Sequence, residues 1–287
     1  MKKIRIKSFC KINLSLKVLK KLKNDYHSIE SLVTFCNLHD VIEISKIKGK
    51  KDKINFSGKF KKGINLYSNT ITKVLNLLRK KNIINNQKFK ITVQKDIPHG
   101  SGLGGASSNA ASLLNFLNVK MNLKLSTNQK NKIAKNVGFD VPVCLKKQNT
   151  LLTGKKGEIL RLNKKFNLNI LIVYPNIVCS TKKIYEKNKK FSPLKSNFFF
   201  NIKNKNELIN LLFNENNDLQ EAVIKFYPRI RKIIDFISDQ EDCYFSRITG
   251  SGSACIGIFS NMKAAIYTQK LIKLKFPKYW SIVSKTI

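Results

Sequence analysis

PHGSGLGGASSNAA, residues Pro98 to Ala111, sets four glycines and three serines in front of an alanine-rich run. The segment before it, FKITVQKDIP (Phe89–Pro98), reads as a strand closed by proline. After it, from Ser107, Ala110, Ala111, Leu113, Leu114 and Leu117 recur at helical spacing. A bare backbone between a strand and a helix start leaves amides free to face an anion. The first amides of a helix have no intrahelical acceptor, and its dipole places about half a positive charge there. Ser107 and Ser108 add hydroxyls at the same point.

Several glycine loops share part of this string. GSGLGG satisfies G-x-G-x-x-G through Gly100, Gly102 and Gly105. A dinucleotide fold also needs an acidic residue about 20 positions further on, and that region reads LSTNQKNK. A Walker loop ends in G-K-[ST], but here Gly105 is followed by Ala106 and Ser107. The H-R-D and D-F-G segments of protein kinases are absent from the sequence. A phosphate cradle outside these three classes remains, beside a purely structural glycine turn. A second glycine turn, TGSGSAC (Thr249–Cys255), lies between two strand-like segments.

Phosphoryl transfer to an alcohol requires positioning, charge stabilisation and an acceptor for the hydroxyl proton. Between Pro98 and Lys156 the only carboxylate is Asp140, in GFDVP, which makes it the general-base candidate. The first segment alternates with a period of two from Ile4 to Val18, apolar on the even positions. Lys11 and Asn13 therefore share the other face, and Lys11 is the candidate cation to pair with Asp140.

The 287 residues suffice for two modest domains. Apolar runs stay short of the roughly 18 residues of a membrane span, and the basic start lacks a signal-peptide core. A cytoplasmic protein without membrane association is expected. Six dispersed cysteines and three histidines show neither C-x-x-C nor metal-ligand spacing. The net charge of +38, from 55 Lys+Arg against 17 Asp+Glu, invites a nucleic-acid reading. Yet the lysines are scattered along an asparagine- and isoleucine-rich chain, without an aromatic or helix-turn-helix motif. No specific nucleic-acid partner is expected, whereas attraction of an anionic small substrate is. The order of elements predicts an α+β protein in two lobes.

The motifs together resemble those of the GHMP kinases. Pro98 and GSGLGGASS fit P-x-x-x-G-L-G-[GS]-x-S-[SA]. More narrowly, CKINLSLKV, NDYH at 24–27, GFDVPVCL and TGSGSACIGIF occur in the order seen in the branch that phosphorylates a cytidyl-diphosphate sugar alcohol. The resemblance covers essentially the whole chain. It implies a two-domain fold, with an N-terminal ATP-binding domain over 1–155 and a C-terminal α/β sandwich-like domain over 156–287. It also implies ATP and Mg²⁺ as cofactors, and transfer of the γ-phosphate to the 2-hydroxyl of 4-diphosphocytidyl-2-C-methyl-D-erythritol in non-mevalonate isoprenoid synthesis. A monomer or weak homodimer is expected.

Residue by residue, the resemblance makes Asp140 and Lys11 catalytic. It assigns Pro98, His99, Gly100, Ser101, Gly102, Leu103, Gly104, Gly105, Ala106, Ser107 and Ser108 to the ATP phosphates, and Asn65, Leu66 and Lys95 to the surroundings of the adenosine. Asn13 contacts the methylerythritol part, Tyr26 and His27 recognise cytosine, and Tyr185 stacks on its other face. Thr249, Gly250, Ser251 and Gly252 form the third motif, and Ser108 is the candidate metal contact. Phe139 beside the base, Ala106 in the loop and Tyr185 depart from the usual residues without removing a reactive group. A homoserine- or mevalonate-type kinase and a non-catalytic basic nucleic-acid-binding protein stand as the alternatives.

Overall fold

A computed structural model describes residues 3–23, 26–154, 158–194, 199 and 202–287. The expected domain boundary at 155/156, Asn24 and Asp25 of NDYH, and the end of the polar segment 186–198 lie outside the described residues. In chain order the first half holds β1 (Ile4–Asn13), β2 (Lys17–Lys21), β3 (His27–Ile47), β4 (Lys53–Ser57), α1 (Thr70–Lys80), β5 (Lys88–Gln94), α2 (Gly105–Lys120), α3 (Thr127–Val137) and α4 (Val141–Cys144). The second holds β6 (Thr150–Thr153), β7 (Ile159–Arg161), β8 (Asn169–Tyr174), α5 (Thr181–Lys187), α6 (Lys205–Phe213), α7 (Gln220–Phe226), α8 (Arg229–Ser238), β9 (Cys243–Ile248), β10 (Cys255–Phe259), α9 (Met262–Lys275) and β11 (Trp280–Lys285).

The chain forms two compact units. The first comprises Met1–Lys11, Leu38–His99 and Gly104–Lys147; the second comprises Ile12–Asn37, Gly100–Leu103 and Gln148–Ile287. In the first, Val41–Ile47 of β3 runs antiparallel to β5, and β5 runs parallel to β4. Helix α1 starts at Asn69, whose side chain accepts from Thr72 N, and buries Ile71, Val74, Leu75 and Leu78 at i, i+3, i+4 and i+7. Each such side chain contributes about 1.5–3 kcal/mol by leaving water. Helix α3 starts at a capping box in which Ser126 and Gln129 satisfy each other's amides. It stops at Gly138, where the expected breaker stands.

In the second unit, Glu30–Val33 of β3 pairs with β6, and β6 with β7. A separate antiparallel sheet has the order β11-β8-β10-β9. Every residue of β8 and β10 is buried, which explains their continuous apolar sequences NILIVY and CIGIF. Ile233 and Ile237 of α8 and Ile272 of α9 complete this core with Leu171, Val173 and Phe259.

The first strand is shorter than its alternation suggests. It ends at Asn13, and the chain bends through Leu14–Leu16 before β2. The apolar alternation continues because Leu14 and Leu16 remain buried, but only Leu14 still bonds β3, the partner of β1, while Leu16 turns to residues 216 and 218. Leu14 N donates to Leu32 O at 2.8 Å, Leu16 N donates to Asn216 O at 3.0 Å, and Leu16 O accepts from Asp218 N at 2.8 Å. A period of two records which side chains face the core, not which strand the backbone pairs with.

Candidate active site

Within the first unit, β1 brings Lys11 to Asp140, the residue preceding α4. The Lys11 Nζ lies 3.1 Å from Asp140 Oδ2. The lysine side chain is 6% exposed and the aspartate 35%, so the cation is held inside while the carboxylate meets solvent. This is the pairing the sequence suggested, across 129 residues of chain. Neither Lys11 nor Asn13 is a solvated surface residue, being 5% and 4% exposed.

The helix end of the glycine loop is in the same unit. Gly104, the N-cap of α2, has φ 65°, a left-handed conformation that favours glycine. A Cβ there would collide with the Lys11 stem, so the loop passes directly over the catalytic lysine candidate. At Gly105 a Cβ would lie 2.9 Å from Ile97 Cγ2 and 3.2 Å from Lys95 Nζ. Ser108, in the first turn of α2, is 3% exposed and its Oγ has no hydrogen-bond partner. A buried hydroxyl beside the first amides of a helix is a donor set of the kind that can hold an anion.

Lys95 lies beneath this turn. It is 2% exposed and ion-paired with Asp40, itself wholly buried. Asp40 Oδ1 also accepts from the amides of Asp96 and Ile97 at 2.8 Å each, and Oδ2 accepts from Asn109 Nδ2 at 2.9 Å. One carboxylate thereby ties the segment after β5 to the second turn of α2. Asp40 and Asn109 were not among the candidates. An aspartate inside LVTFCNLHDVIEISKI was the available signal, because a carboxylate in a buried strand needs a partner.

Asn65 accepts from the amides of Tyr67 and Ser68 at 2.8 and 2.9 Å, forming a tight turn that leaves Leu66 and Tyr67 exposed before α1. Thr70 Oγ1 donates to Ala106 O at 2.8 Å, linking the start of α1 to that of α2. Pro98 is buried, and His99 Nε2 lies 2.8 Å from Lys62 O. Ser107 is half-buried on α2.

Within the second unit, Gly100–Leu103 meets the other glycine turn. Gly102 has φ 84°, and a Cβ on it would collide with Thr249 O. Gly250 faces back, with a Cβ position 3.0 Å from Gly102 O and 3.3 Å from Asn13 Oδ1. Ser101 O accepts from Ala254 N at 2.9 Å and Gly100 O from Cys179 N at 3.0 Å, while Leu103 is fully buried. Asn13 N donates to Thr249 Oγ1 at 2.8 Å, and Asn13 Nδ2 donates to Ser31 Oγ at 2.7 Å. Ser251 Oγ is 2.9 Å from Thr181 Oγ1, and Gly252 packs against Val223. The two glycine motifs, widely separated in sequence, are thus in direct contact.

The aromatic candidates are in this unit too. The His27 and Tyr185 rings lie 5.0 Å apart at 35°, and Tyr26, next in the chain, is 55% exposed. Such a cluster offers ring faces for stacking and a histidine for hydrogen bonding to a base edge. Burial raises the Cys179 thiol to about 11, so this cysteine beside the loop is a neutral packing group rather than a nucleophile. Among the described residues no cluster of three His, Cys, Asp or Glu side chains is placed to hold a metal ion. No helix of the described residues is long and apolar enough to cross a membrane.

Comparison with known proteins shows two matches to family descriptions, "GHMP kinases N terminal domain" over residues 69–148 and "GHMP kinases C terminal" over 200–275. The chain is 40% identical, over 100% of both sequences, to a protein of Pelagibacter ubique named 4-diphosphocytidyl-2-C-methyl-D-erythritol kinase. A solved 4-(cytidine 5'-diphospho)-2C-methyl-D-erythritol kinase matches with a TM-score of 0.74 at 19% identity, covering 98% of this chain and 99% of that one. A homoserine kinase from Cytophaga hutchinsonii matches with a TM-score of 0.75 at 16% identity, covering 100% of this chain and 95% of that one. The two solved structures fit equally well, so they speak for the fold and leave the acceptor to be read from the residues.

Proposed function

This chain belongs to the GHMP kinase family, and from that premise we propose that it transfers the γ-phosphate of ATP to the 2-hydroxyl of 4-diphosphocytidyl-2-C-methyl-D-erythritol. The observation that carries the reaction type is the Lys11–Asp140 pair, buried on its cationic side and open on its acidic side. In this reading Asp140 accepts the proton of the acceptor hydroxyl as its oxygen attacks the γ-phosphorus. Lys11 orients the carboxylate and faces the negative charge that spreads over the transferring group. In this proposal nucleotide binding falls by sequence to residues 1–155 and the C-terminal part of the kinase to 156–287, whereas the second compact unit begins at Gln148 and also takes in Ile12–Asn37 and Gly100–Leu103.

The loop from Pro98 to Ser108 is proposed to hold the triphosphate by its backbone amides and by the hydroxyls of Ser107 and Ser108. Asn65 and Leu66 would lie near the adenosine, and Lys95, through Asp40, holds the loop's helix in place. Mg²⁺ accompanying the nucleotide would offset phosphate charge, and the unpaired Ser108 hydroxyl fits a metal-phosphate ligand. For the acceptor, Tyr26, His27 and Tyr185 are proposed to take cytosine, with Asn13 and the Thr249–Gly252 turn towards the sugar alcohol and its phosphates. The contact of the His27 and Tyr185 rings supports that assignment over an acceptor without a base. A cytoplasmic enzyme, without a specific nucleic-acid partner and monomeric or weakly dimeric, completes the proposal.

The test is a coupled ATPase assay with 4-diphosphocytidyl-2-C-methyl-D-erythritol, homoserine and mevalonate in parallel. Turnover is expected with the first alone. Turnover with homoserine or mevalonate instead would transfer the assignment to that branch of the family.

A further inference from the structure

The segment Glu215–Asp218, between α6 and α7, is fastened to the chain around the start of β2 within the second unit. Leu16 N donates to Asn216 O, and Leu16 O accepts from Asp218 N at 2.8 Å. Asp218 Oδ2 accepts from Val18 N at 2.9 Å, and the Glu215 carboxylate pairs with Lys17 at 2.6 Å. Asn217, in the middle of this segment, is only 5% exposed, so its side-chain amide has to be satisfied inside the protein.

Its two ends do different things. Oδ1 accepts from Leu219 N at 3.0 Å, a local turn leading into α7. Nδ2 donates to Ile248 O at 3.1 Å and to Gly250 O at 2.8 Å, the carbonyls on either side of Thr249. Gly250 has φ 56° and no Cβ, so by itself it leaves the following peptide free to turn over. The bond from Asn217 fixes that peptide. The C=O and N–H of a trans peptide lie on opposite sides, so the same bond turns the Ser251 N–H away from Asn217. Ser251 is 8% exposed, and among the described residues its N–H meets no hydrogen-bond acceptor. A buried backbone donor is rarely left in that state unless a ligand takes it.

We propose that Asn217 is a positioning residue for the acceptor substrate: it holds the Thr249–Gly252 turn in the arrangement that presents the Ser251 N–H to an anionic oxygen of that substrate. The inference rests on the reading of this turn as part of the acceptor site. Asn217 acts through the Gly250–Ser251 peptide and not by touching substrate. The turn also gives Thr249 Oγ1 to the Asn13 amide at 2.8 Å, so releasing it from Asn217 loosens a second group assigned to the acceptor.

The test compares Asn217→Ser with Asn217→Ala. Serine keeps an oxygen for the Leu219 amide but has one hydroxyl donor where the amide spans two carbonyls; alanine removes both functions. Both variants are expected to lower kcat/KM for 4-diphosphocytidyl-2-C-methyl-D-erythritol by about 10- to 100-fold, the scale of a small misplacement, with the KM for ATP unchanged. The denaturant midpoint should fall mainly in alanine. Amide-resolved NMR of the ligand-free chain gives a measure independent of activity. Asn217→Ser should shift or broaden the resonances of Thr249–Gly252 while those of α7 stay in place. A kinetic defect that follows stability, larger in alanine than in serine, or a KM for ATP that rises with that for the acceptor, makes Asn217 purely structural and overturns the proposal. Parental kcat/KM or unmoved Thr249–Gly252 resonances in Asn217→Ser overturn it as well. Should alanine fail to fold, serine decides by its kinetics and its resonances. If the parent chain turns over homoserine or mevalonate instead, the substrate reading fails, and the NMR comparison still decides the role of Asn217.

Discussion

The Lys11 ammonium and the Asp140 carboxylate stand 3.1 Å apart, the lysine enclosed and the aspartate open to solvent. Replacing Asp140 by Asn removes the proposed proton acceptor while preserving shape. We expect kcat to fall by about 10²- to 10⁴-fold, the usual contribution of a positioned base, with ATP affinity nearly unchanged. Single-turnover kinetics with nucleotide titration would check this, and parental rates in Asp140→Asn would remove the aspartate from the chemistry.

Two glycines make the loop specific. Alanine at Gly104 collides with the Lys11 stem and alanine at Gly102 with Thr249 O, and both positions have positive φ. Backbone cannot yield as a flexible side chain can, so Gly102→Ala should lose more folded stability than Gly104→Ala. Gly104→Ala should chiefly lower kcat by displacing Lys11. Denaturant midpoints measured beside kcat would separate the two, and equal effects on both quantities would contradict the assignment.

Asp40→Asn leaves Lys95 charged and buried without its partner. A loss of about 3–5 kcal/mol is expected from urea unfolding, the scale for breaking a buried pair. The double change Asp40→Asn with Lys95→Met should recover much of that loss, because the stranded charge is then absent. If the double variant is as unstable as the single one, hydrogen bonding of the Asp40 oxygens, rather than charge pairing, holds the loop.

Tyr185→Ala tests the proposed base contact. Stacking on an aromatic ring is worth about 1–3 kcal/mol per base, so KM for the cytidyl substrate should rise by about 5- to 150-fold. The KM for ATP should stay constant. Equal changes in both would point to a general loosening of the unit.

The Cys179 and Cys243 thiols are raised to about 11 and about 12 by burial. At pH 8 only about a thousandth of Cys179 is then thiolate, the reactive form. Alkylation by iodoacetamide in the native state should be slow, and should accelerate about tenfold per pH unit up to about pH 11. A rate already flat above pH 9 would place these thiols in a more polar setting than the structure does.

Much of the architecture follows from local chemistry, and for that reason it could be read without coordinates. The caps at Asn69 and Ser126 and the glycines between β5 and α2 act on backbone a few residues away, whereas β5 ends at Gln94, short of the proline expected to close it, because Asp40 takes the amides of Asp96 and Ile97. The family motifs are visible for the same reason, since each is a short continuous string. The pairings that assemble them join distant residues. Lys95 reaches Asp40 across 55 positions, and the Asn13 amide reaches Thr249 across 236. Asn13 and Lys11 looked like one polar face of a strand, and only packing shows that both are enclosed. Alternation tells which side a residue occupies; what covers that side is decided by chain folded back from elsewhere. The string PHGSGLGGASSNAA suggested an anion cradle beside a purely structural turn, but the Lys11 stem under Gly104 and the Asp40–Lys95 pair under Gly105 are tertiary facts. Buried charge is tolerated only with a partner, and it is the fold that chooses the partner.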